Sequence, residues 1–528
     1  MKIVVADPIS QQGLALLRET GWEVLTPSKE EVRGALADAD ALIVRSATRA
    51  NAELLEAATR LKVVGRAGVG VDNVDLEAAT RRGVLVMNTP GGNAVSVAEH
   101  ALALMMALAR HIPQLSAAIH AGRWEKSGAT GTELRGKTLG LVGFGRVGNE
   151  VARRARGLEM RVVAHDPYVS EAAAQDAGVE LLTLPQLLAR SDYISLHLAL
   201  SSATTKIINA ATIAQCKRGA SLINTARGEL VDEAALAEAL RSGQLGGAAL
   251  DVFAVEPPRE SPLIGMPNVI ATPHVAGSTR EAQEEVGTLI AQQVRDYLAE
   301  GVLRNAVNLP SLSGEQYRRV KPWLEVAERL GAFLAQITDA RFARVSLAFA
   351  GEPAELGTTV LRNAVLAGLL NAVLAEKVNL VNAGQFAAAR GFVVEERTRR
   401  RDQGYPNTIE VAVKGAEETG HTAAEATLLH GVSPRILSVN GVELEAPLAG
   451  TMLFFRNRDV PGVIGQVGTV LGARGVNIST FALGRRSAEP ASDAMGLVRL
   501  DGEVPDSILE AIRKVGAVSE ARIVRLPD

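Results

Sequence analysis

The sequence predicts an α/β protein in which one parallel, doubly wound unit is inserted into another, with two smaller α+β modules following. Three observations predict it. Short β-rich runs alternate with helical stretches from the first residues, and the alternation starts afresh near residue 137. That second run opens with "KTLGLVGFGRVGNEVARR", a strand, a glycine turn and a helix, placed well inside the chain rather than at its start. From about Leu448 onward the text is βαββαβ, the ferredoxin-like order. At 528 residues the chain exceeds what one core serves.

Taken in order, "KIVVAD", "WEVLTP", "ALIVRS", "LKVVGRA" and "VLVMNTP" are the strands of a first lobe, separated by helical text such as "SQQGLALLRETG". A long helical stretch from about Asn93 to Ala121 leads to the glycine turn. Six candidate parallel strands follow: "TLGLVGFG", "RVVAHD", "YISLHL", "SLINTA", "GAALDV" and "NVIATP". A helix from Glu281 to Glu300 and the segment "NAVNLP" then close the first lobe. The expected boundaries are 1–94 with 280–310 for the discontinuous lobe and 95–279 for the insert. An intervening module spans 311–447 and a C-terminal one 448–528. The intervening text mixes helix ("LRNAVLAGLLNAVLAEKVN") with strand-like runs ("TIEVAVKG", "RILSVNGVEL"), and no catalytic pattern stands out there.

Composition excludes several functions. A net charge of −3 gives no electrostatic footprint for nucleic acid or an anionic membrane. The basic cluster "ERTRRR" at Glu396 to Arg401 is expected to be a solvated turn. The longest apolar run, "ALALMMALA" from Ala101, is too short to span a bilayer. Cys216 is the lone cysteine, so no internal disulfide forms, and it is expected to be a small buried or half-buried residue. With no signal-like N-terminus, a cytoplasmic location is expected. No metal site is expected.

In "GFGRVG", Gly143, Gly145 and Gly148 have the G-x-G-x-x-G spacing. Such a turn bends tightly, admits a pyrophosphate to backbone N–H groups and lets strand and helix pack closely. Asp166 ends the next strand at the spacing where a carboxylate meets the adenosine ribose diol. It would repel a 2′-phosphate, and no Arg follows in "HDPYVS", so NAD is favoured over NADP.

In an open parallel sheet, ligands lie beyond the carboxyl ends of the strands. Arg227 in "NTARGELVDE", Asp251 and Glu256 in "ALDVFAVEPP", and His274 in "TPHVAGS" occupy that rim. Removing hydride from a carbinol needs a base for the hydroxyl proton, a role suited to His near neutrality. A neighbouring Glu favours the imidazolium and steadies the ring. Arg binds a carboxylate bidentately and holds the carbinol carbon in place. The catalytic set is therefore Arg227, Glu256 and His274.

These segments resemble the D-isomer-specific 2-hydroxyacid dehydrogenase family. The resemblance implies a two-lobed dehydrogenase with an inserted Rossmann-type sheet. It implies NAD contacts from Arg146, Val147, Thr225, Ala226, Arg227, Asp251, His274, Val275, Ala276 and Gly277, beside the turn and Asp166. The N-terminal text "VVGRAGVGVDN" and "IVRSATRAN" is similar to the branch that oxidises D-3-phosphoglycerate. That implies Arg45 on the substrate phosphate, the backbone of Ala67, Gly68, Val69 and Gly70 on its carboxylate with Arg227 and His274, and Arg49 and Lys126 as lesser candidates. "FFRNRDVPGVIGQVGTVLGARGVNIS" resembles an ACT domain, which implies amino-acid regulation. Asn457, Asp459 and Asn477 are then the candidate L-serine contacts, with Asn457 standing where relatives carry His or Tyr. A homo-oligomer, expected to be a tetramer, follows from the same resemblance. Ala199 replaces a family proline, and His197 is expected to be a packed strand-end residue outside the chemistry. Two alternatives stay open: another D-2-hydroxy acid as substrate, and a non-catalytic NAD-sensing corepressor.

Overall fold

Strand pairing sets the architecture of the computed structural model. It describes residues 1–526 apart from 125, 127–128, 313, 339–341, 375, 401–403, 416–420, 490–491, 503 and 505–506. The first sheet is five-stranded and wholly parallel, in the order Glu23–Leu25, Lys2–Val5, Ala41–Val44, Val63–Arg66, Leu85–Met87. Ile3, Val4, Leu42, Ile43, Val63 and Val64 are fully buried, as continuous apolar strands covered on both faces must be.

The inserted sheet is also parallel, but it has seven strands where six were expected. Its order is Val269–Ala271, Leu245–Leu250, Ala220–Asn224, Tyr193–Leu196, Thr138–Val142, Arg161–His165, Glu180–Leu181. The extra strand is two residues at the edge, too short and too exposed to leave an apolar signature. The order reverses beside Thr138–Val142, which ends at the glycine turn. That reversal is where such sheets open a ligand crevice.

The helical stretch expected from Asn93 to Ala121 is two helices, Ala94–Ala109 and Ile112–His120, bent by 66°. His111 has φ +53 and Pro113 sits in the first turn of the second helix, where its missing N–H is tolerated. Among the described residues, no single helix is long and apolar enough to cross a membrane. Helix Arg280–Glu300 carries the chain back, and the Val307 amide donates to the Val86 carbonyl at 2.8 Å, which returns the chain to the edge of the first sheet.

Helix Gly314–Ile337, not singled out from the sequence, then runs under a six-stranded sheet. In that sheet Phe342–Ala350 pairs in parallel with Val393–Arg399, and the remaining pairs are antiparallel. The basic cluster is therefore not a turn. Glu396 to Arg399 belong to the edge strand, and Arg401 lies outside the described residues. Arg399 pairs with Glu410 at 2.7 Å and with Glu425, and Arg362 pairs with Glu396 at 2.7 Å. These ion pairs, invisible in the text, let charged residues occupy a sheet edge.

The last module has the ferredoxin-like strand order Asn477–Arg485, Asp493–Asp501, Thr451–Arg458, Val518–Arg525. Its Phe454 meets Phe333 of helix Gly314–Ile337 edge-on at 6.4 Å. One apolar interior runs from Ile3 and Val294 through Val320 and Leu330 to Phe454 and Val524. The inserted sheet keeps separate interiors of its own.

Candidate active site

The glycine turn joins strand Thr138–Val142 to helix Arg146–Gly157. Gly143 has φ +99, and a Cβ there would fall 2.6 Å from the His197 carbonyl oxygen. A Cβ on Gly148 would fall 2.5 Å from the Gly143 oxygen, so this glycine permits the close approach of helix and turn. Gly145 differs: nothing lies within 4 Å of its Cβ position, and it caps the helix N-terminus. Asp166 accepts from the Phe144 amide and the Tyr168 amide, both at 2.9 Å, tying the end of the second strand to the turn. Val147 is half-buried in the first turn of the helix, and Arg146 reaches from it to the Pro90 carbonyl.

On the same rim, Thr225 is 7% exposed and its Oγ1 is buried without a hydrogen-bond partner. The half-buried Ala226 follows it, its amide held by Asn224 Oδ1 at 3.0 Å. The open space at Gly145, the helix N-terminus behind it and the orphaned Thr225 hydroxyl fit a dinucleotide with its pyrophosphate at the turn.

Asp251, expected as a cofactor contact, is also a buried brace within the protein. Its carboxylate is enclosed and turned toward the protein. It accepts from Thr272 Oγ1 at 2.6 Å, the Val275 amide at 2.9 Å and the Ala276 amide at 2.8 Å. Burial alone would raise its carboxyl, but the imidazole of His100 close by and the hydrogen bonds from Thr272 and the two amides outweigh burial and hold it below the ordinary range. Asp251 thus pins the loop that bears His274. The His274 amide donates to the Asp251 carbonyl at 2.8 Å, and the residue sits at φ +52. Its Nδ1 lies 2.9 Å from Glu256 Oε2, while Glu256 Oε1 accepts from the Phe253 amide at 3.1 Å. Gly277, beyond the loop, lies against Asn93, whose Nδ2 would be 2.6 Å from an added Cβ.

The first lobe brings its own groups to this rim. Arg227 lies against Gly70 so closely that a Cβ there would overlap its guanidinium, and Arg227 Nη2 pairs with Asp72 at 3.1 Å. Ala67 is buried, Val69 is 38% exposed, and a Cβ on Gly68 would overlap the Arg66 guanidinium. Arg45 is half-buried. Its amide donates to Asp7 at 2.6 Å and its carbonyl accepts from Asn73 at 2.7 Å. Arg49 and Lys126 are exposed.

Arg66 is the residue that sequence reasoning passed over. Burial and the nearby Arg227 and Arg45 charges push its guanidinium down, with Asp72 and Asp7 opposing, and its Nε is buried without a partner. Ending a strand on the rim was the signal that could have found it.

Away from this cleft, Asn457 and Asp459 line a cavity of about 300 Å³ with Val460, Pro461 and Leu483. The Asn457 Oδ1 is buried and unpartnered. Asn477 is not among the cavity's lining residues and donates instead to Asp501 at 2.8 Å. His197 shares a hydrogen bond with Ser195 at 2.9 Å, and desolvation lowers its imidazole to about 4. Cys216 is 7% exposed and burial pushes its thiol up to about 11, a poor nucleophile.

An inserted parallel sheet with a dinucleotide turn, and a His–Glu pair and an arginine on the rim between two lobes, define an NAD-dependent dehydrogenase acting on hydroxy acids. The comparisons narrow the class. Residues 102–276 match the model of the D-isomer specific 2-hydroxyacid dehydrogenase NAD binding domain, 319–440 that of the D-3-phosphoglycerate dehydrogenase intervening domain, and 451–517 that of the ACT domain. The D-3-phosphoglycerate dehydrogenase of Methanocaldococcus jannaschii is 39% identical over 529 residues, and that of Archaeoglobus fulgidus 40% over 531, each covering 100% of both chains. Among solved structures, a glyoxylate reductase from Paecilomyes thermophila matches with TM-score 0.53 at 31% identity, covering 58% of this chain and 98% of its own. Apo D-lactate dehydrogenase from Escherichia coli matches with TM-score 0.51 at 31% identity, covering 58% and 100%. The chain belongs to the D-3-phosphoglycerate dehydrogenase family, an NAD-dependent oxidoreductase family, in the form that carries intervening and ACT domains.

Proposed function

We propose that the protein oxidises D-3-phosphoglycerate to 3-phosphohydroxypyruvate, the step that commits carbon to L-serine. NAD, when bound, accepts the hydride from C2. Since His274 Nδ1 is engaged by Glu256, Nε2 is the nitrogen left to take the C2 hydroxyl proton as the carbonyl forms. Glu256 stabilises the resulting imidazolium. Arg227 and the backbone of Ala67 to Gly70 hold the substrate carboxylate, and Arg45 with Arg66 meets the phosphate. Gly143, Gly145, Arg146, Val147, Gly148, Asp166, Thr225, Ala226 and the segment from Val275 to Gly277 form the NAD cradle, and Asp251 supports it from below. The observation that carries this reading is the His274–Glu256 pair at 2.9 Å on the rim that also bears Arg227. L-Serine is the proposed effector, bound at Asn457 and Asp459 with Asn477 a more distant contributor. The active form is a cytoplasmic homotetramer with no nucleic-acid or membrane partner.

A steady-state assay of NADH formation with D-3-phosphoglycerate and NAD, with and without L-serine, tests this. Turnover inhibited by serine is expected. Equal use of D-glycerate would point to a different hydroxy acid, and NAD binding without turnover to a sensor.

A further inference from the structure

We propose that His100, on the crossing helix Ala94–Ala109, is a positioning residue for hydride transfer, holding the loop of His274 through Thr272 and Asp251. The inference rests on the dehydrogenase reading above and adds to it a helix that contributes no residue to the reacting centre.

Asn93, Ser96 and His100 lie at i, i+3 and i+7, the spacing that brings side chains to one face of a helix. Each meets the segment from Thr272 to Thr279. Asn93 lies against Gly277, and Ser96 Oγ is 2.7 Å from Thr279 Oγ1. His100 Nε2 is 3.1 Å from Thr272 Oγ1 and 3.5 Å from Asp251 Oδ1. The polar stripe thus follows the catalytic loop from its start to the helix beyond it.

Proton accounting fixes the role of the imidazole. Thr272 has one hydroxyl proton, and it goes to Asp251 Oδ1 at 2.6 Å, because an ionised carboxylate only accepts. His100 must therefore donate its Nε2–H to the Thr272 oxygen. That hydrogen bond orients Thr272, which orients Asp251, whose oxygens hold the amides of Val275 and Ala276.

The arrangement has something to restrain. His274 is at φ +52, a left-handed backbone that a residue with a Cβ keeps only when its surroundings dictate it. A hydroxyl left without its oriented donor lets the loop relax, and misplacement by about 1 Å can cost on the order of 10²-fold in rate.

The test uses the full chain with His100→Leu and His100→Gln, since the glutamine amide can still donate near the Nε2 position. We measure kcat, KM, NAD affinity and the first-turnover rate of NADH formation per NAD-binding site. His100→Leu should lower kcat and the per-site rate by roughly 10- to 100-fold while NAD affinity and substrate KM change by less than about threefold, and His100→Gln should recover most of the loss. An unchanged rate in His100→Leu overturns the proposal. So does a loss explained wholly by fewer NAD sites, or a glutamine variant no better than the leucine one. Should His100→Leu not fold, His100→Asn, whose amide falls short of Thr272, replaces it and must be slower than His100→Gln. Absence of turnover in the unmodified protein would instead sink the dehydrogenase reading itself.

Discussion

His274 Nδ1 lies 2.9 Å from Glu256 Oε2, although the two residues stand on different loops and 18 positions apart. The pairing leaves only Nε2 to exchange a proton, and it places a compensating negative charge where the imidazolium forms. His274→Ala should lower kcat by about 10²–10⁴-fold, the usual worth of a general base, with NAD binding intact. Glu256→Gln keeps the shape but not the charge and should cost about tenfold or more in kcat. Steady-state kinetics with parallel NAD titration checks both, and full activity in His274→Ala would remove it from the chemistry.

The glycines of the turn should separate folding from binding. Gly145 has open space around its Cβ position and φ −79, so Gly145→Val should melt near the unmodified protein yet bind NAD at least about tenfold more weakly. Gly148→Ala would set a methyl 2.5 Å from the Gly143 oxygen, and overpacking of this kind costs about 1–3 kcal/mol. Thermal melts and NAD titrations of the two variants should give opposite patterns.

Arg66 brings an unpartnered guanidinium nitrogen beside Arg45 and Arg227. Hydrogen bonds to a charged group are worth about 1.5–3 kcal/mol, so Arg66→Gln should raise the KM for D-3-phosphoglycerate by roughly 10- to 100-fold. Turnover of D-glycerate should change much less. If both substrates weaken equally, Arg66 supports the loop rather than meeting the phosphate.

His197 supplies a pH dependence. Its folded imidazole titrates at about 4, below the ordinary 6.5, so the unfolded chain binds more protons between those values. The stability it contributes is complete above pH 6.5 and is lost as pH falls toward 4. From the shift the loss is on the order of 3 kcal/mol. Chemical denaturation at a series of pH values should show this slope, and His197→Asn should flatten it.

The parts of the fold legible in the text were those written in short-range code. Continuous Val/Ile/Leu runs marked the parallel strands, and the spacing of Gly143, Gly145 and Gly148 marked the turn. The rim rule found Arg227, Glu256 and His274. What stayed hidden depends on long-range partners. The edge strand Glu180–Leu181 has almost no apolar content, and the basic strand through Arg399 looked like a turn because Glu410 and Glu425 lie far along the chain. Asp251 stood correctly on the rim, but only coordinates reveal that its carboxylate faces inward. Arg66 ends a rim strand in the text, but its company of Arg45 and Arg227 exists only in the folded chain, as does the place of His100 beside Thr272.

The apolar interior that passes from Ile3 to Val524 makes the C-terminal sheet a wall of the molecule rather than an attachment. A cut that removed this sheet would reach the shared interior. Here that cut would strip the cover from Phe333 and leave an oily stripe facing water. A point substitution beside Asn457, by contrast, would leave that interior closed.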